Sequence, residues 1–291
     1  VEHAASPGDE RAIELLATAA RDLQSPAPAV AARFHAAALR LLPERPENRE
    51  LRTRMLRLLA DAQAASGEPV AARETLLEAL RAARDDERLA LTVGVANMEW
   101  WLGRGEESRR RLQVALGDLP AEPSPDRIRL RLSLALAALE TRDLDEVQVQ
   151  TSDARDDARA IGDPVFEIAA LAGGALARVT ALDGADAERS LHESAEALER
   201  PSGEQLATRL PAFWMHGRAR SALGEFEAAL ADFERGTAIA ADTGRESVLL
   251  LLSVESVQTL IELGRLGEAD AAAEEGVERA RLSGIPRALL W

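Results

Sequence analysis

Strand-forming residues are sparse along this chain and nowhere alternate with polar ones over a useful length. Alanine, the strongest helix former, makes up about a fifth of the residues. The pattern predicts an all-α fold. Turn signals recur at Ala27, Gly67, Gly103, Arg142, Gly184, Gly224 and Gly264, at steps of 40, 36, 39, 42, 40 and 40 residues. Seven residues before each turn stand Ala20, Ala60, Ala96, Ala135, Ala177, Gly217 and Val257, six of them alanine or glycine. Five after it stand Ala32, Ala72, Ser108, Val147, Arg189, Ala229 and Ala269. Twelve after it stand Leu39, Ala79, Ala115, Ala154, Glu196, Gly236 and Gly276, with Ala197 fitting the fifth unit if that unit carries one extra residue. Small residues in register on facing helices let two helices cross closely. The spacing therefore predicts a repeated helical hairpin.

Boundary signals agree with this period. Ser202 with Gln205 and Thr243 with Glu246 form capping boxes, and Ser124-Pro125 and Asp163-Pro164 read as an N-cap followed by proline at the first helical position. Pro43, Pro46, Pro120, Pro123 and Pro201 fall between repeats. Pro211 lies inside a helical pattern, so that helix is expected to kink or to start late.

The stretch from Trp214 to Phe233 resembles a tetratricopeptide repeat (TPR). Gly217 takes the small position before the turn, Ala229 the one after it, Phe233 the packing aromatic and Gly236 the last small site. The mean step of about 40 is longer than the roughly 34 residues of an ordinary TPR and nearer HEAT or armadillo spacing. The small-residue columns and Gly224-Glu225-Phe226-Glu227-Ala228-Ala229 favour an extended TPR. The expected fold is a right-handed α-solenoid of about seven TPR-like units in a single domain, 1–291. The units run 9–46, 47–84, 85–123, 124–162, 163–201, 202–242 and 243–284, with 285–291 opening a truncated next helix. The weakest are the fourth, where Arg142 replaces glycine, and the fifth, where the register slips near Ser190.

Charge and composition then remove function classes. There are 35 basic residues against 50 acidic ones, a net charge of −15. Such a surface repels phosphate backbones, so no direct nucleic-acid contact is expected. The chain has no cysteine and no lysine, which excludes thiolate metal sites, a standard P-loop and Schiff-base chemistry. No apolar run approaches the ~18 residues of a membrane helix and nothing at the start reads as a signal peptide. No membrane contact and a cytoplasmic location are therefore expected.

The opening Gly8-Asp9-Glu10-Arg11-Ala12-Ile13-Glu14-Leu15-Leu16-Ala17, with Val30-Ala31-Ala32-Arg33 and Ala36-Ala37-Ala38-Leu39-Arg40-Leu41-Leu42-Pro43, resembles the repeat region of large ATP-binding regulators of the LuxR type. Such proteins place a STAND-class ATPase before a TPR-like sensor and a helix-turn-helix after it. The resemblance implies that this chain is the excised middle part, with ATPase and DNA-binding neighbours in the full protein. It further implies that an inducer or partner protein, bound to the repeats, controls those neighbours. A stand-alone TPR scaffold for protein partners is the alternative.

No catalytic or metal site, and no cofactor, is expected. His3, His35 and His192 have no partner at ligand spacing, and His216 reads as a core or boundary residue. Asp85-Asp86, Asp156-Asp157 and Glu274-Glu275 read as solvated faces, and Gly173-Gly174 as a close helix contact. The candidate site is the first-helix stripe that a solenoid turns to its concave face. It comprises Arg57 and Asp61; Asn97, Trp100 and the adjacent Trp101; Leu132 and Leu136, with Leu139; Arg178; Trp214 and Arg218; and Gln258. Aromatic anchors beside arginine and amide groups suit a small polar inducer or a peptide. The tryptophans stand equally as gap fillers between repeats, and the leucines as a contact to another domain.

Overall fold

The computed structural model describes residues 5–24, 27–181, 184–242 and 246–283, and among them it contains fifteen α-helices and no strand. They pair in order as α1 (Glu10–Asp22) with α2 (Pro28–Leu41), α3 (Arg49–Ala65) with α4 (Pro69–Ala82), and α5 (Asp85–Trp101) with α6 (Gly105–Gly117). Next come α7 (Pro125–Glu140) with α8 (Leu144–Ile161) and α9 (Pro164–Thr180) with α10 (Gly184–Leu198). The short α11 (Gly203–Leu206) precedes α12 (Pro211–Ala222) with α13 (Phe226–Asp242), and α14 (Glu246–Glu262) pairs with α15 (Leu266–Ser283). Thr243 and the Ile285–Trp291 segment lie outside the described residues.

Five hairpins turn on one left-handed residue placed two positions past the end of the first helix. These are Gly67, Gly103, Gly224 and Gly264, with φ between 71° and 81°, and Arg142 with φ 56°. Glycine adopts that conformation without a Cβ clash, which is why it dominates the turn column. The fifth hairpin corrects the sequence reading. Gly184, expected as its turn, is the first residue of α10. Counting instead from the end of α9, the small columns fall on Ala175, Ala187 and Ser194, which are all buried, while Arg189 and Glu196 face solvent.

The helix starts have local causes. Ser124 accepts from the Arg127 N–H, and Asp163 from those of Val165 and Phe166, each with proline at the first helical position. Ser202 and Gln205 form a reciprocal capping box on α11. Pro211 starts α12 after a short irregular lead, because its ring cannot continue a helix already under way.

The helices form two compact units, Val1–Arg111 and Leu112–Arg279. In the first, α1 packs on α2, α2 on α3, α3 on α4 and α4 on α5. In the second, the first helices also form a ladder, with α7 on α9, α9 on α12 and α12 on α14. Glycines permit close approach where first and second helices meet, at α12–α13, α13–α14 and α8–α9. A Cβ on Gly217 would lie 2.4 Å from Phe233 Cε1, and one on Gly236 would lie 2.9 Å from both Phe213 and Leu252. One on Gly173 would lie 2.9 Å from Thr151. Phe213 and Phe233 are fully buried, each worth about 1.5–3 kcal/mol of transfer free energy.

His35 on α2 is also fully buried. The Gln24 amide nitrogen donates to the Leu58 carbonyl, which turns its oxygen to His35 Nε2 at 3.2 Å. Nε2 therefore carries the proton, and Nδ1 is buried with no partner among the described residues. Burial, then the nearby Arg21 charge, lower the imidazole below its ordinary 6.5. Below that value the unfolded chain takes up a proton that the folded one resists, so stability falls as pH drops through 6.5 and this group adds no pH dependence above it. Urea unfolding between about pH 7.5 and 5.5 should show this loss, at most about 1.4 kcal/mol per pH unit, and His35→Leu should flatten it. An unchanged slope in His35→Leu would place the titrating group elsewhere.

Candidate functional site

On α12, Ala212, Phe213, Met215, His216, Gly217 and Ala219 are buried. That leaves Trp214 half-buried and Arg218, one turn on, exposed along the opposite edge. The next first helix, α14, presents Glu255 to both. The Trp214 indole N–H donates to Glu255 Oε1 at 3.0 Å, and Arg218 Nη1 donates to the same oxygen at 2.8 Å. The guanidinium also lies over the indole, 5.5 Å from a ring centroid. Gln258, three residues after Glu255, is exposed. Trp214, Arg218, Glu255 and Gln258 thus lie on the α12–α14 pair.

Other candidate residues in this unit are more deeply engaged. Leu132 and Leu136, with Leu139, are half-buried and pack, like Trp214, against the core built by α9, α10, α12, α13 and α14. Arg178 is half-buried and donates to Ser190 Oγ within its own hairpin. In the first unit, Arg57, Asp61 and Asn97 are exposed and Trp100 and Trp101 are half-buried. The two rings meet edge to face at 5.0 Å. Surrounding protein raises the Asp61 carboxyl above its ordinary value and Arg57 pulls it back, although water reaches the residue.

Two polar clusters escaped the sequence reading. Glu99 on α5 has a fully buried side chain that accepts from Arg73 Nη2 at 2.8 Å and Nε at 3.1 Å on α4. It also accepts from Arg111 Nη2 at 2.7 Å and Nε at 2.9 Å on α6. Burial raises this carboxyl, but hydrogen bonds from Arg111 and Arg73 outweigh it and hold the group below the ordinary carboxylate range. Nothing in the residue order sets Glu99 apart from the other acidic residues. The second cluster is buried His216, whose Nδ1 lies 2.8 Å from Asp232, with Arg220 3.2 Å from the same carboxylate. His216 is indeed a core residue.

Among the described residues no group of three or more His, Asp or Glu side chains could hold a metal ion, and no helix is long and apolar enough to cross a membrane.

No protein-family model matches this chain, and no curated protein does. Its fold has solved counterparts. A Rap protein complexed with Competence and Sporulation Factor is similar over 95% of this chain and 78% of that one, at 11% identity and a TM-score of 0.62. The apo form of RapI is similar over 94% and 85%, at 12% identity and a TM-score of 0.56. A tetratricopeptide repeat protein from Parabacteroides merdae is similar over 94% and 99%, at 14% identity and a TM-score of 0.56. The fold is thus an α-solenoid of TPR-like helical hairpins.

Proposed function

We propose that this chain is a non-catalytic binding module, one repeat domain that takes a peptide segment of a partner on its first-helix surface. In the full protein, occupancy would regulate the ATPase and DNA-binding domains of a LuxR-type transcription regulator in the cytoplasm. The Trp214–Arg218–Glu255 cluster carries the binding reading. It offers a half-buried indole and an exposed guanidinium, both already tied to Glu255, so little side-chain freedom is lost on binding. A Rap protein in complex with Competence and Sporulation Factor is one instance of this fold holding a bound factor. The regulator context rests on the likeness of the repeat sequences. For occupancy to act as a signal, the partner must prefer one of two states, since equal affinity for both shifts nothing.

Selection of a random peptide library on the domain tests the binding reading. Binders are expected, and Trp214→Ala should weaken them by about 2 kcal/mol or more, as for a central anchor. Trp214 also packs on the core, so thermal unfolding of the variant is measured alongside to separate lost contact from lost fold. An empty selection, or binders indifferent to Trp214→Ala in a folded variant, rejects the proposal.

A further inference from the structure

We infer that the Trp214–Arg218–Glu255 cluster receives a carboxylate attached to an apolar group, an inference that rests on the binding reading above. The donor inventory comes first. A guanidinium has five N–H donors in a planar fork. Arg218 spends one on Glu255, and among the described residues no other group accepts from it, while 46% of its side chain remains exposed. Glu255, whose side chain is only 12% exposed, already takes two donors on one oxygen. The outward chemistry of the cluster is therefore donation, and it selects an acceptor. It does not select a cation.

The geometry narrows the acceptor. Glu255 holds one arm of the guanidinium and the indole lies beneath it, so the free edge is presented in a fixed plane. A fixed planar edge matches the two oxygens of a carboxylate. Charge narrows it further. The cluster offers one guanidinium, with the Glu255 carboxylate beside it, so a first negative charge gains the charge-assisted fork while a second meets Glu255 with no further cation of the cluster to offset it. A monoanionic carboxylate fits better than a dianionic phosphate. The neighbouring half-buried indole face then takes the apolar part of the same ligand.

The test uses a random peptide library with free C-termini, selected on the whole chain. Each binder is remade as its C-terminal amide and with every Asp or Glu changed to Asn or Gln. Dissociation constants are measured by calorimetry on the wild type, Arg218→Gln and Arg218→Lys. Removing one particular carboxylate should weaken binding to the wild type by about tenfold or more, and should cost nothing further on Arg218→Gln. Arg218→Lys should fall between, because lysine keeps the charge but not the fork. Whichever remade peptide loses affinity identifies the carboxylate as terminal or side-chain. The comparison on the wild type needs no variant to fold. Binders that keep their affinity after losing every carboxylate overturn the inference and leave the binding reading standing, as do binders that lose it equally on Arg218→Gln. A selection without binders overturns both.

Discussion

Glu99→Gln should lower the stability of the domain by about 3 kcal/mol, the lower end of what breaking a buried ion pair from one side costs. The substitution keeps the size and shape of the side chain and removes only the charge. Arg73 and Arg111 would then face an amide, with 20% and 28% of their side chains exposed. That partial exposure lets the guanidinia turn towards water, which keeps the cost from being larger. The same triad makes an acid prediction. The Glu99 carboxyl is held below its ordinary 4.5, so its contribution is fully present above that pH and is lost as pH falls through the lower folded-state value. Urea unfolding midpoints for the two proteins at neutral pH, and again below about pH 4, measure both effects, and the gap between them should narrow in acid. Equal midpoints at neutral pH would mean that the three groups contribute no net stability. Replacing the whole triad with apolar residues of similar volume should be far milder than Glu99→Gln, because no charge is left buried alone.

Gly217→Ala should destabilise by about 1–3 kcal/mol even though alanine is intrinsically the better helix residue by about 1 kcal/mol. The added methyl would sit 2.4 Å from Phe233 Cε1 and 2.6 Å from Cζ. These are atoms of a fully buried ring, which cannot swing aside as the end of a flexible side chain could. Gly217→Leu should cost more. Phe233→Leu by itself leaves a cavity, but combined with Gly217→Ala it opens the space the methyl needs. The double variant should therefore be less destabilised than the two single losses added together. Thermal unfolding of the four proteins reads the coupling. A Gly217→Ala protein as stable as the wild type would show that α12 and α13 do not cross this closely.

Both of these sites bear on what a sequence can disclose. Gly217, Phe233 and Gly236 were legible because a helix has a fixed period and the hairpin a nearly fixed length, so positions relative to the turn become positions in space. Five turn residues followed for the same reason, even Arg142, whose column demanded a left-handed conformation that arginine rarely adopts. Gly184 misled because glycine also occurs at helix starts, and its presence alone does not say which role it takes. Glu99 and Glu255 looked like any other residue among 50 acidic ones. Their partners lie 12, 26, 37 and 41 residues away, on other helices.

The all-α class, the hairpin period, the small-residue crossings and the absence of lysine and cysteine chemistry follow from the amino-acid order alone. They depend on local backbone preference and on residue inventory, which need no knowledge of neighbours in space. Helical spacing also assigned Trp214 and Arg218 to one edge of a helix. Tertiary structure alone decided how much of that edge is covered, because coverage depends on the next helix in the ladder. It decided too that Glu255 is the group joining them, and that Glu99 is buried between two guanidinia rather than solvated. The physical reason is common to all three. Burial and charge pairing belong to contacts between helices far apart in the chain, and the free energy of a carboxylate is set by what surrounds it.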